Sequence, residues 1–164
     1  KHPIHNSYWV VPGQFLAGEY PRDVDTVSSR TKMTALQEAG ITLFIDLTHE
    51  DDLLDSYSEF LITAQHIPFP IRDVSVPESL EMTVEILDTI DAEIARSGVV
   101  YVHCWGGVGR TGVIVGCWLA RHGYPGQAAL DRLHALWKEC PKSKDRSSPE
   151  TDEQVRYILN WMET

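Results

Sequence analysis

Cysteine is scarce in this chain: Cys104, Cys117 and Cys140 are its only three, and no two of them form a C-x-x-C pair. So few cysteines at such spacings exclude a disulfide-stapled scaffold and give no support to a metal site. Free cysteines are typical of a reducing compartment, so we expect a cytoplasmic location.

Positive charge and long apolar runs are also in short supply. With 14 Lys and Arg against 24 Asp and Glu, the net charge is −10, and nucleic acid is not an expected partner because phosphate backbones attract basic stripes. No apolar run approaches the length of a membrane span or resembles the core of a signal peptide. The chain begins at Lys1 rather than Met, which leaves open a trimmed targeting segment or a longer parent protein.

What the chain does have is enough apolar sequence for one core: 43% of its 164 residues are hydrophobic, so we take residues 1–164 as a single domain. Strands are predicted at a short pair within Trp9–Pro21, and at Ile41–Thr48, Ala64–Ile71 and Val99–His103. Helices are predicted at Val24–Ala39, Glu78–Arg96, Thr111–Arg121, Gly126–Glu139 and Thr151–Met162. This alternation predicts an α/β fold with a central, mostly parallel sheet flanked by helices.

The stretch GVGRTG, Gly107–Gly112, fits the G-x-G-x-x-G fingerprint of dinucleotide-binding folds. That fingerprint also requires a second strand with an acidic residue near its end, about 20 residues later. Asp131 and Arg132 occupy that position, inside a stretch with helical spacing. A nucleotide-binding P-loop is disfavoured as well, because no Lys-Ser/Thr pair follows the glycines.

The chemistry of the longer stretch HCWGGVGRTG, His103–Gly112, indicates an anion site instead. Its glycines, among them Gly106, allow successive backbone N–H groups to point the same way and form a nest for an anion. A helix that starts near Arg110 adds its positive end, and the guanidinium can grip two oxygens of one phosphate. Cys104 would lie at the bottom of this cup, where such surroundings favour a thiolate.

The pattern of His-Cys, five residues, then Arg-Thr-Gly resembles the signature of the cysteine-dependent protein tyrosine phosphatase superfamily. From the residues alone, a glycine-rich turn with an inert buried cysteine is the alternative. The resemblance implies a phosphocysteine intermediate on Cys104 and charge stabilisation by Arg110, with no metal and no organic cofactor. It also implies that His103 braces the loop and that Thr111 donates its hydroxyl to the sulfur. The phosphate loop is then Trp105, Gly106, Gly107, Val108, Gly109 and Arg110, with Trp105 as a wall of the cup.

The superfamily uses an Asp from a separate loop to protonate the leaving oxygen. Asp73 precedes Cys104 by 31 residues, the kind of spacing at which compact members carry this acid, and Pro70 and Pro77 would stiffen its loop. Asp46, at the end of a buried strand, is the main rival. The acidic stretch HEDD, His49–Asp52, is interpreted as a solvated loop.

Three further residues have weaker assignments. Gln154 lies just before the last helix, where related enzymes carry a Gln that positions the hydrolytic water; a solvent-facing residue of the first helical turn is the alternative. Cys117 follows Cys104 by 13 residues, so at about 1.5 Å per helical residue it lies too far away for a disulfide and is a core residue. Cys140 has no assignment.

The short chain leaves no room for the extra N-terminal elements of strictly tyrosine-specific relatives, so it resembles the compact dual-specificity type. This implies action on phosphotyrosine and on phosphoserine or phosphothreonine in proteins. None of the five loop positions Trp105–Gly109 is basic, which weakens a phosphatase of inositol or lipid phosphates as the alternative. An inactive phosphate-recognition module is a further alternative, and the oligomeric state stays open.

Overall fold

One five-stranded sheet organises the molecule in a computed structural model that describes residues 2–163. The strands are β1 (Ser7–Val11), β2 (Phe15–Gly18), β3 (Leu43–Asp46), β4 (Gln65–Pro68) and β5 (Val100–His103). They lie in the order β1-β2-β5-β3-β4, and every pairing is parallel except that of β1 with β2. The predicted single-domain α/β fold with a mostly parallel sheet is confirmed, with β5 in the centre.

The register brings three strand ends together. His103 at the end of β5 pairs with Gly18 of β2 on one side and with Asp46 of β3 on the other. The carboxyl ends of parallel strands form the edge at which open α/β sheets bind ligands. The segment that follows His103 therefore leaves the sheet at this edge, near its middle.

Five helices cover both faces of the sheet: α1 (Thr26–Glu38), α2 (Leu80–Ala95), α3 (Gly109–Arg121), α4 (Gln127–Trp137) and α5 (Asp152–Leu159). Alternate strand residues point to opposite faces, so Phe44 packs against α1 while Ile45 lies in the larger core under the other four helices. The helix α3 is buried along almost its whole length, as its apolar sequence predicts. Within residues 2–163, no helix combines the length and the apolarity that crossing a bilayer requires.

The irregular segments carry short 3-10 turns at Glu50–Asp52, Ser58–Phe60 and Pro141–Lys144. Helices α1, α2 and α5 begin after the capping side chains of Asp25, Ser79 and Thr151, which accept hydrogen bonds from the first turn. These caps explain why the helices start later than hydrophobic spacing alone predicts.

Candidate active site

The loop between β5 and α3 forms the floor of an open cavity of about 330 Å³. The cavity is lined by Glu19, Asp73, Cys104, Trp105, Gly106, Val108, Gly109, Arg110, Lys142, Arg146 and Glu150. Cys104, Arg110 and Asp73, which the sequence predicts to act together, thus lie in one cup. Cys104 is only 3% exposed, and the exposed part faces the cavity.

Four backbone carbonyls of the loop accept hydrogen bonds from groups that lie outside the loop. The four pairs are His103 Nδ1 with Cys104 O at 3.1 Å, Tyr20 N with Trp105 O at 2.9 Å, Lys142 Nζ with Gly106 O at 2.7 Å and Ser148 Oγ with Val108 O at 2.6 Å. In a trans peptide the N–H points opposite to the C=O of the same unit. The N–H groups that follow these carbonyls therefore point away from these donors, as an anion nest requires.

Gly107 allows the loop to lie against the end of β2. Its φ is 77°, in the left-handed region that suits glycine. A Cβ at this position would come within 2.5 Å of the carbonyl carbon of Gly18. The loop therefore needs glycine here for its backbone conformation and for this close approach.

Arg110 is fixed by contacts on one edge of its guanidinium. Its Nη1 donates to Asp52 Oδ2 at 2.7 Å and to the carbonyl of Ile71 at 2.9 Å. Its Nη2 lies 3.3 Å from Asp73 Oδ1, and Nε has no hydrogen bond to any residue within 2–163. The Nε–Nη2 edge is therefore the one that can hold two oxygens of a phosphate.

Asp52 contacts the candidate site through Arg110, which the sequence interpretation missed. The HEDD stretch is not simply a solvated loop, because the Asp52 side chain is only 5% exposed. Its Oδ2 accepts from Arg110 and also from the backbone N–H of His49, as half of a capping box on the first 3-10 turn. No sequence signature marks Asp52, because the capping box that it closes begins with a histidine and not with the usual serine or threonine.

Asp73 lies on the rim of the cup, 54% exposed, in a loop with an unusual backbone. The next residue, Val74, has a φ of 55°, which is rare for a β-branched residue and concentrates at functional sites. The rival carboxylate of Asp46 does not line the cup. It is buried at the end of β3, where it accepts hydrogen bonds from Thr48 and His66.

Gln154 is fully buried, so it is not a solvent-facing residue of the first turn of α5. Its Oε1 accepts from the backbone N–H groups of Glu150 and Thr151, and its Nε2 donates to the carbonyl of Ser75 at 2.9 Å. Its amide also packs against Gly109 at the start of α3. Gln154 therefore joins the Asp73 loop to the phosphate loop.

His103 lies behind the loop in a buried polar network. Burial lowers the pKa of its ring, and Asp46 and the carbonyl of Cys104 only partly oppose this effect. In the neutral ring Nδ1 carries the proton, since its partner is a carbonyl, and Nε2 accepts from Tyr57 Oη at 2.7 Å. Burial alone would raise the pKa of Asp46, but the neighbouring His103 and hydrogen bonds from His66 and Thr48 lower it well below its ordinary value.

Thr111 is buried, and its hydroxyl has no hydrogen-bond partner within the part of the chain that the structure describes. An unpaired buried hydroxyl is uncommon. It is available to donate to the Cys104 sulfur, as the resemblance implies, although no such hydrogen bond is formed here.

Two cations of the cup come from a segment that the sequence interpretation treated as a polar loop. Lys142 and Arg146 lie one turn apart in and after the third 3-10 turn, and both line the cavity. Each has an acidic partner: Lys142 lies 3.2 Å from Glu19, and Arg146 lies 3.0 Å from Glu150. No local pattern in the sequence links them to Cys104, because the contact arises from tertiary packing.

The remaining cysteines lie in the core. Cys117 is fully buried, and burial raises the pKa of its thiol strongly. Cys140 is buried as well, and all three cysteines are free. Across residues 2–163 no group of three or more His, Cys, Asp or Glu side chains has the arrangement of a metal site.

A family model described as Swiss Army Knife protein, DSP-PTPase phosphatase domain (PTP-SAK), matches residues 4–158. Two viral proteins named as candidate tyrosine phosphatases are similar to this chain. Protein 067L of Invertebrate iridescent virus 3 is 27% identical over 71% of this chain and 47% of its own length. Protein 197R of Invertebrate iridescent virus 6 is 28% identical over 87% of this chain and 48% of its own length. The chain thus spans about half the length of these relatives. The crystal structure of kinase associated phosphatase with its catalytic cysteine replaced by serine superposes with a TM-score of 0.76 at 19% identity, over 96% of this chain and 93% of that one, which shows a shared fold.

Proposed function

Because the chain belongs to the family of DSP-PTPase phosphatase domains, we propose that residues 1–164 hydrolyse phosphate monoesters through a phosphocysteine intermediate on Cys104. The observation that carries this proposal is the cup itself: a cysteine on the floor, loop carbonyls held by hydrogen bonds around it, and a buried guanidinium whose Nε–Nη2 edge meets only Asp73 on the rim. Such a site stabilises negative charge on the equatorial oxygens of a phosphoryl group during transfer.

In the first step, the Cys104 thiolate attacks phosphorus as the bond from phosphorus to the leaving oxygen breaks. Asp73 gives its proton to that oxygen, because an alkoxide or phenolate leaves poorly without one. In the second step, water attacks the phosphocysteine, Asp73 accepts a proton from the water, and the sulfur leaves as a thiolate. This division into two displacements is covalent catalysis.

Three residues would support these steps. His103 holds the Cys104 carbonyl outward, and Thr111 would donate its free hydroxyl to the sulfur as it leaves phosphorus. Gln154 has a second N–H on Nε2 besides the one that binds the carbonyl of Ser75. We assign that second N–H to the hydrolytic water, which would enter beside Gly109.

We propose phosphoproteins as substrates, with phosphotyrosine, phosphoserine and phosphothreonine all accepted by an open cup, and a cytoplasmic location, which the three free cysteines support. A phosphatase of inositol or lipid phosphates is the second candidate. The observation in its favour is the pair Lys142 and Arg146, which place positive charge beside the phosphate site. Their acidic partners weaken it, because Glu19 and Glu150 already neutralise both cations.

Hydrolysis of p-nitrophenyl phosphate tests the proposal. We expect turnover that vanadate blocks, that EDTA leaves unchanged and that Cys104→Ser abolishes. Retention of tungstate binding by Cys104→Ser would show that the cup is still folded. Absence of turnover across pH 5 to 8 in a protein that binds tungstate would instead identify an inactive phosphate-recognition module.

A further inference from the structure

A second depression adjoins the phosphate cup and shares Trp105 with it. This side groove, defined by Val24, Asp25, Leu53, Asp55 and Trp105, has a volume of about 620 Å³. Because Trp105 lines both cavities, the groove begins directly beside the cup. A chain whose phosphorylated side chain enters the cup can therefore extend into the groove.

The apolar side chains of the side groove are unusually open to solvent. Val24 is 97% exposed, Leu53 is 89% exposed and Trp105 is 52% exposed. Leu53 also adopts a left-handed backbone conformation, with a φ of 55°, which non-glycine residues rarely do outside functional segments. Large apolar side chains grouped beside an active site are typical of a surface that binds a partner.

The charge of the side groove is negative and only partly compensated. The carboxylate of Asp25 binds only the backbone and hydroxyl of Ser28, and that of Asp55 has no hydrogen bond or ion pair with any residue from 2 to 163. The one basic residue that lines this cavity, Arg22, already binds Glu59 and the carbonyl of Ser56. The groove therefore presents one carboxylate without a partner, Asp55, and one that only Ser28 binds, Asp25, beside an exposed indole. This combination suits a guanidinium.

Given the proposed function, we propose that the side groove binds an arginine-containing segment of a phosphoprotein substrate, next to the phosphorylated residue. The guanidinium stacks on Trp105 and pairs with Asp25 or Asp55, while apolar parts of the segment cover Val24 and Leu53. The net charge of −10 favours the approach of such basic segments. A phosphoinositide headgroup, which carries several phosphates, is repelled by the same carboxylates.

Three phosphotyrosine peptides that differ only in their flanking residues, Arg, Ala or Glu, test this assignment. Binding is measured by fluorescence anisotropy with Cys104→Ser, and kcat/KM is measured with the unaltered chain, with p-nitrophenyl phosphate as a substrate that cannot reach the groove. We expect tightest binding and the highest kcat/KM for the Arg peptide. Since an exposed ion pair contributes up to about a fivefold effect, the Arg peptide should exceed the Ala peptide by about that factor.

The variants Asp25→Asn and Asp55→Asn test whether the preference for the Arg peptide arises in the side groove. Asparagine caps a helix as well as aspartate does, so α1 should be retained. Each variant should lower the ratio of kcat/KM on the Arg peptide to that on p-nitrophenyl phosphate by about fivefold or less, according to the strength of an exposed pair. Glu85→Gln, an exposed acid of α2 that lines neither cavity, is the matched control and should leave the ratio unchanged.

These experiments distinguish failure of the groove proposal from failure of the proposed phosphatase activity. Preference of Cys104→Ser for the Arg peptide supports the groove even if no substrate is turned over, a result that would refute only the proposed function. Four results would overturn the proposed role of the groove. They are equal affinity for all three peptides, preference for the Glu peptide, tighter binding of a soluble phosphoinositide than of any peptide, and an unchanged ratio of kcat/KM values in both Asp variants.

Discussion

Asp52 Oδ2 lies 2.7 Å from Nη1 of Arg110, and both side chains are almost completely buried, at 5% and 1% exposed. This ion pair joins the 3-10 turn after β3 to the first turn of α3. It sets the plane of the guanidinium, so that the opposite edge faces the cup. In the proposed mechanism, a carboxylate that does not contact the phosphate would thus determine how the arginine binds it.

Asp52→Asn should lower kcat/KM on p-nitrophenyl phosphate by about 10- to 100-fold, because a small misplacement of a catalytic group has effects of that size. The neighbouring Asp51→Asn is the control, since Asp51 pairs with the exposed Arg72. Steady-state kinetics of the two variants gives the comparison. Equal losses in both variants would mean that kcat/KM depends on the negative charge of the turn and not on the contact of Asp52 with Arg110.

Arg110→Lys should be about as damaging as loss of a main oxyanion donor, with kcat reduced about 100-fold or more. A lysine is a point charge and cannot reproduce both the contacts to Asp52 and Ile71 and a two-oxygen grip on phosphate. Single-turnover measurements would assign the loss to the chemical steps. Activity within a few-fold of normal would refute the bidentate role.

Asp73→Asn should slow hydrolysis of an alkyl phosphate by about 100-fold or more, the usual contribution of a general acid. The effect on p-nitrophenyl phosphate should be much smaller, because its leaving group scarcely needs a proton. Rates across a series of leaving groups measure this dependence. If all substrates lose the same factor, the acid lies elsewhere.

Gly107→Ala should disable the cup, whereas Gly13→Ala should not. Both glycines have a positive φ, 77° and 74°, so the backbone strain is matched. Only at Gly107 would the added methyl group collide with β2; at Gly13 nothing lies within 4 Å. Tungstate affinity and turnover should fall in the first variant alone, and similar behaviour of the two would show that strain, not the close approach, governs the loop.

Asp46→Asn should change how stability depends on acid. The folded-state pKa of Asp46 is lowered, so its stabilising effect is present above the ordinary Asp value near 3.9 and is lost as the pH falls below it. The variant should be less stable at pH 7 by about 1–3 kcal/mol, the scale of a lost charged hydrogen bond. Urea unfolding at pH 7 and pH 3 should show this gap shrinking, while Glu85→Gln follows the unaltered chain at both pH values.

Much of the fold was predictable because its strands and helices have strong local signals. The apolar run before His103 predicted the central strand, and the nearly all-apolar α3 predicted a core helix. Pro68 and Pro70 are typical of an edge strand or of a strand end, and β4 lies at the edge of the sheet and ends at Pro68. Helix starts were less accurate, since caps such as Asp25 and Thr151 determine them more than periodicity does.

The residues of the candidate site likewise fall into those with a local sequence signal and those without one. Cys104, Arg110 and Asp73 could be singled out because a fixed local pattern and a stiffened loop mark them; the structure places them in one cavity, and their roles stay predictions. Asp52, Lys142 and Ser148 could not, because their contacts with the cup join segments far apart in the chain and depend on tertiary packing. Gln154 was singled out, but its burial and its bond to Ser75 were not foreseeable from a polar residue near a helix start.

The four donors that bind the loop carbonyls come from Tyr20, His103, Lys142 and Ser148, which are spread over most of the chain. The ten-residue sequence HCWGGVGRTG is therefore not sufficient by itself to form this loop in another protein. Moved into another strand-to-helix junction without those donors, the same peptide would have no reason to keep its amides aligned. Recruiting this chemistry to a new scaffold would require transferring a framework, not a motif.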